Sequence, residues 1–144
     1  MQDHRKLEIW QLAIELAVDV YRATRTSPLR DDPYLVGQLR SSAGSISANI
    51  AEGAARSTKR DFARFVVGAI GSTAELESHI VLAQRVDLLA DSVAVALLST
   101  VGSLRRMQVA FLNRVRHGHS TGSEGDEPEP RSRRVTRSPG NPAR

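Results

Sequence analysis

The chain contains no cysteine, and aromatic residues make up only 4% of its 144 positions. Without cysteine there is no disulfide, no thiolate metal site and no thiol nucleophile, a pattern that fits a reducing compartment. With few large rings, a core must be assembled from Leu, Ile, Val and Ala, which suits close-packed helices. No apolar run approaches the roughly 20 residues of a membrane span, and no signal-peptide apolar stretch follows the start. The chain is therefore expected to be cytoplasmic and to work away from membranes. Charge of one sign is not in large excess either. A net charge of +4 and an isoelectric point of 10.3 allow an acidic partner without singling one out.

What the chain does have is helical periodicity. In residues 6–25, Leu7, Trp10, Ile14, Ala17 and Tyr21 recur at three- and four-residue steps. Ile9, Leu12, Leu16 and Val20 cover other faces, and only Glu8, Glu15 and Arg22 leave a polar stripe. That is more apolar surface than a helix burying one face needs. Asp32-Pro33 then signals a second helix, with Asp accepting orphan N–H groups and Pro at the first helical position. It is expected to end near Glu52, with Gly53 in the left-handed position just past it. Leu35, Leu39, Ile46 and Ile50 form one seam of this helix. Gly37, Ser41, Gly44, Ala48, Ala51 and Ala55 form a second seam of small residues that admits close approach of another backbone. The helix is expected to pack on two sides.

Thr58 and Asp61 make a variant capping box ahead of a third helix over 59–86. One of its faces carries Phe62, Phe65, Ala69, Thr73, Leu76 and Ile80, and another Ala63, Val67, Ile70, Ala74 and Val81. Asp91 or Ser92 is expected to cap a fourth helix, whose core face is Val93, Leu97, Val101, Leu104, Phe111 and Val115. Residues 118–144 change to Gly, Ser, Pro and charge without apolar periodicity, and cannot bury enough surface to offset their ordering entropy. The expected architecture is all-α: an antiparallel up-down-up-down four-helix bundle over 1–117 with a disordered C-terminal tail over 118–144.

The motifs themselves carry a resemblance. They are Leu7-Glu8-Ile9-Trp10-Gln11, Tyr34-Leu35 with Gln38-Leu39-Arg40, and the run from Ser45 through Asn49-Ile50-Ala51-Glu52-Gly53. Arg56, Thr58, Asp61-Phe62, Arg64-Phe65, Ala69-Ile70-Gly71-Ser72 and Glu75-Leu76-Glu77 continue it. Over residues 5–115 the chain resembles the small four-helix-bundle proteins named for intervening sequences of bacterial 23S ribosomal RNA genes. Accessory proteins of diversity-generating retroelements look like relatives. Ser47 stands where proline is common in the pattern. The resemblance implies a bundle that is often a ring-like homopentamer, nucleic-acid binding, and in the retroelement branch partnership with a reverse transcriptase. No cofactor is implied.

Two groups of residues are candidates for function. Gln38, Ser45, Asn49, Glu52, Ser72 and Glu75 are polar at helical spacings. They read either as a hydrogen-bond network that sets the register of helices or subunits, or as a ligand site in which two carboxylates do acid–base work. No nucleophile or phosphate-binding Gly-rich loop accompanies them, so the chain is read as a non-enzyme. A di-metal bundle needs Glu-x-x-His on two helices, whereas Glu75 has Ser78 at that spacing and Glu52 has Ala55. His117-x-His119 is more simply a solvated pair at a helix end.

The second group is basic. An up-down-up-down bundle brings Arg5, Lys6, Arg56, Lys59, Arg60, Arg64, Arg114 and Arg116 to one pole, against Asp3, Glu8, Glu52 and Asp61. The other pole holds Arg22, Arg25, Arg30 and Arg85 against five aspartates. The basic pole reads as a surface for RNA or DNA phosphates, repeated around a symmetric ring, or as a solubilising face. Aromatic platforms for stacking bases are missing. An adaptor oligomer that binds only protein partners is the alternative.

Overall fold

A computed structural model describes residues 1–118, and among these the chain is an antiparallel bundle of four helices: α1 (Glu8–Ala23), α2 (Pro33–Ala54), α3 (Lys59–Arg85) and α4 (Asp91–His117). Two 3-10 turns, His4–Lys6 and Leu29–Asp31, precede α1 and α2. Neighbours in sequence pack together, and α4 closes the bundle against α1. The expected tail lies outside the described residues apart from Gly118.

Capping chemistry starts the two middle helices as the sequence indicates. The Asp32 carboxylate accepts the Leu35 N–H at 2.9 Å, with Pro33 opening α2. The Thr58 hydroxyl oxygen accepts the Asp61 N–H at 3.1 Å and donates to the Asp61 carboxylate at 2.7 Å. The box is thus closed through the two side chains. α4 differs from expectation: its N-cap is Ala90, without a side-chain bond, and Asp91 is already helical, its carboxylate accepting from the Gln84 amide at 3.1 Å. At the end of α3, Asp87 adopts φ 60°, the Leu88 N–H reaches the Ala83 carbonyl at 3.0 Å and the Asp87 N–H reaches that of Gln84 at 3.1 Å. These two bonds are a Schellman motif with aspartate in the position glycine usually takes.

Each helix buries one seam. On α1 it is Ile9, Ala13, Leu16 and Val20, so the face through Trp10, Ile14, Ala17 and Tyr21 is rotated toward the rim rather than leading into the core. A helix apolar nearly all round leaves its rotation undetermined by periodicity, and the neighbours decide it. Arg40 helps here: its Nε donates to the Thr24 hydroxyl at 2.9 Å and its guanidinium lies 4.6 Å over the Tyr21 ring, tying the end of α1 to α2. On α3 the seam is Ala63, Val66, Ala69, Thr73, Leu76, Ile80 and Ala83. The expected second face is divided: Ala63 is buried and Ile70 and Val81 are half-buried, while Ala74 and Val67, the latter 45% exposed, face solvent.

α3 is also the described helix long and apolar enough, by length and composition, to cross a membrane. Its mid-helix Glu75 and Glu77 and its seam against α2 and α4 are those of a bundle helix instead.

The end of α2 corrects the expectation for Gly53. α2 continues through Ala54, and no glycine among the described residues has positive φ. Gly53 is required by space: a Cβ there would stand 2.7 Å from the Phe62 ring and 2.8 Å from the Phe65 Cβ. At Gly44, in the same helix, an added Cβ would meet nothing within 4 Å. Gly53→Ala should therefore cost about 1–3 kcal/mol by overpacking, whereas Gly44→Ala should stabilise the isolated chain by about 1 kcal/mol. Urea unfolding of dilute protein checks the opposite signs, and equal effects would contradict the packing argument.

Candidate nucleic-acid interface

The basic pole is built on the tight α2–α3 turn. Three elements meet it: the first turn through the Gln2 N–H donating to the Ala54 carbonyl at 2.9 Å, α3 at its start, and α4 at its end. All three phenylalanines of the chain stand here. Phe62 and Phe111 pack edge to face at 5.3 Å, over a small apolar cluster of Ala63, Val66 and Leu112. This cluster seals the end of the bundle and gives long basic side chains an apolar support.

The eight sequence-predicted cations divide by surroundings. Lys59, Arg60, Arg64 and Arg116 line one surface groove of about 770 Å³, whose floor is Ala63, Val67 and Val115. Arg64 lies 3.7 Å from the Asp61 carboxylate, and Lys59 Nζ donates to the Gly118 carbonyl at 3.4 Å. Arg56 pairs with Glu52 and lies 4.6 Å over the Phe65 ring, while Arg114 lies 5.7 Å over Phe111. Arg5 and Lys6 are exposed in the first turn. The Arg5 guanidinium and backbone N–H both bond to Asp3, holding that carboxyl below the usual range, with Lys6 adding a smaller pull. The groove also receives the N-terminal end of α3, whose aligned peptide dipoles favour anions.

The six polar candidates do not converge on one site within the chain. Ser45 and Ser72 meet across α2 and α3 with their hydroxyls 2.9 Å apart, and the Asn49 amide donates to the Ser45 carbonyl and hydroxyl at 2.8 and 3.2 Å. Glu52 and Glu75 face outward instead, Glu52 toward Arg56 and Glu75 toward His79 at 3.7 Å. Gln38 is half-buried near the other end of α2. The two carboxylates are thus turned away from each other and from any common pocket. Among the described residues no group of three or more His, Asp or Glu is placed to hold a metal; His119 lies outside them.

The buried polar pair is a different one, which sequence reasoning missed. Thr73 and Gln108 are both fully buried and join α3 to α4 at 3.1 Å. The Thr73 hydroxyl also donates to the Ala69 carbonyl at 2.9 Å. Gln108 Nε2 has no hydrogen-bond partner among the described residues. The available signal was a glutamine four residues after Leu104, where the core seam of α4 asks for an apolar residue. Gln108→Met removes the unpartnered amide and leaves Thr73 bonded to its own helix. It should stabilise the chain by about 1 kcal/mol in urea unfolding, and a loss of stability would show that the amide is satisfied.

Fold and pole together define a small all-α bundle with one cationic end. The profile of the 23S rRNA-intervening sequence protein family matches residues 5–110, and the chain belongs to that family. The fold is shared with the crystal structure of a protein of unknown function from the S23 ribosomal protein family of Bacteroides thetaiotaomicron VPI-5482. That structure has a TM-score of 0.67 and 18% identity, over 72% of this chain and 97% of that one. The likeness is one of fold. No curated protein matches the chain. Neither finding points to a catalytic family.

Proposed function

We propose that the chain is a non-enzymatic, homo-oligomeric accessory protein that binds nucleic-acid backbone through its basic pole, alongside a partner enzyme. The observation that carries this reading is the groove where Lys59, Arg60, Arg64 and Arg116 converge beside the start of α3. Cations spaced along a groove with a helix N-terminus suit phosphate oxygens, and contacts of this kind position a strand without reading its sequence. A reverse transcriptase is one such partner, which the resemblance implies for the retroelement branch.

Binding of generic RNA and duplex DNA across a salt series tests it. Each phosphate contact contributes about 0.9 to the log–log salt slope on a duplex, so replacing Lys59, Arg60 and Arg64 by Ala should flatten it by about 2.7. Affinity at low salt should fall about tenfold or more. A slope and affinity unchanged by the triple substitution would remove the pole from the account.

Assembly is supported by surface that one chain leaves uncovered. Tyr34 is 65% and Val95 63% exposed, and the small-residue seam Gly37, Ser41, Gly44 and Ala48 faces outward with open space beside both glycines. A second copy covering that seam gives α2 its second packing side, and a closed ring, a pentamer by resemblance, repeats the basic pole on one rim. Light scattering at micromolar concentration should report several chains, and Ala48→Arg should shift the mass toward one chain with helicity retained. A monomer before substitution would contradict the arrangement. The same apolar surface favours the second reading, an adaptor oligomer with protein partners only, which predicts no salt-dependent nucleic-acid binding.

A further inference from the structure

The groove at the basic pole has a candidate occupant in the chain itself. Gly118 lines the groove together with Lys59, Arg60, Arg64 and Arg116, so the chain leaves α4 from inside it. Six to eleven residues later come Glu124, Asp126, Glu127 and Glu129, the only acidic residues after Asp91. An extended chain covers about 3.3–3.6 Å per residue, so the six residues from Gly118 to Glu124 reach about 20 Å. The cations on α3 lie within five residues of one another, about 7.5 Å of helix. Tether length therefore puts every groove cation within range. The charges are of opposite sign: four carboxylates in a short window can reach four cations, of which Arg64 lies 3.7 Å from Asp61 and Lys59 already donates to the Gly118 carbonyl at 3.4 Å. A short tether gives an intramolecular ligand an effective concentration in the millimolar range, enough for weak ion pairs to populate a docked state.

We propose that the acidic block at residues 124–129 docks in this groove and competes there with nucleic-acid phosphates. The docking stands on the groove and the tether, and the competition rests on the phosphate-binding reading above. The block acts as a threshold: a ligand with many phosphates displaces it, while a single small anion does not.

The chain offers a residue-specific test, because Lys6 and Lys59 are its only lysines. A water-soluble carbodiimide joins an amine to a carboxylate in direct contact as an amide, the lost water converting the reagent to its urea. In the full chain at low salt, peptide mass spectrometry should find Lys59 joined to Glu124, Asp126, Glu127 or Glu129. The product should disappear at about 0.5 M salt, where exposed pairs are screened. Neutralising the block as E124Q/D126N/E127Q/E129Q should tighten binding of a short duplex DNA about three- to tenfold at low salt. Absence of the Lys59 product would overturn the docking, as would cross-links from residues 124–129 only to Lys6. In a mixture of isotopically labelled and unlabelled protein, products joining unlike chains in place of like ones would overturn the intramolecular form. Lys59 cross-links in a protein that binds no nucleic acid would support the docking and overturn the phosphate-binding reading. Salt-dependent binding with equal affinity for both chains and no Lys59 product would do the reverse.

Discussion

At Gly53 the backbone of α2 lies so close to α3 that the Phe62 ring and the Phe65 Cβ occupy the space a side chain would need. That approach makes the turn between α2 and α3 tight, and much of the basic pole follows from it. Phe62 is held where it meets Phe111 from α4, and the small cluster beneath them closes the bundle. Arg56 is brought over Phe65, and α3 starts with Lys59, Arg60 and Arg64 pointing into the space beside the last turn of α4. Packing and charge placement are thus one feature. A looser turn would separate the cations on α3 from Arg116.

Much of this was legible in the sequence where local chemistry decides. Asp32-Pro33 and Thr58 with Asp61 are start signals whose hydrogen bonds form over three residues, so no distant partner can override them. The basic pole was legible too, because up-down-up-down topology alone assigns residues to ends. Helix rotation was not. α1 carries apolar residues on nearly every face, and only contact with α2 and α4 selects Ile9, Ala13, Leu16 and Val20 for the core. Gly53 illustrates the same limit: glycine after a helical run ordinarily marks a left-handed end, and nothing local distinguishes that role from close packing against a ring nine residues away. Asp87 is the converse, a left-handed position without glycine.

The polar residues divide along similar lines. Ser45, Asn49 and Ser72 join α2 to α3 as small groups that satisfy one another, which suits a half-buried seam. Glu52 and Glu75 are long enough to reach solvent, where Glu52 pairs with Arg56 in the following turn and Glu75 lies beside His79 one turn on. Thr73 and Gln108 occupy the fully buried place, and the orphaned amide makes that site a cost carried by the core. The family match extends over residues 5–110. It covers the α3 side of the groove, while Val115, Arg116 and Gly118 on the α4 side lie beyond it. The groove therefore joins a part of the chain that the family profile covers to one that it does not.

The central claim is that the pole organised by the α2–α3 turn is where phosphate backbone is held. Amide chemical-shift mapping of the full chain with a short RNA duplex at low salt examines it at residue level. The account predicts shifts concentrated in residues 56–64 and 114–118 that are lost as salt is raised. Shifts centred instead on the opposite end, around Arg22, Arg30 and Arg85, or none anywhere, would contradict it.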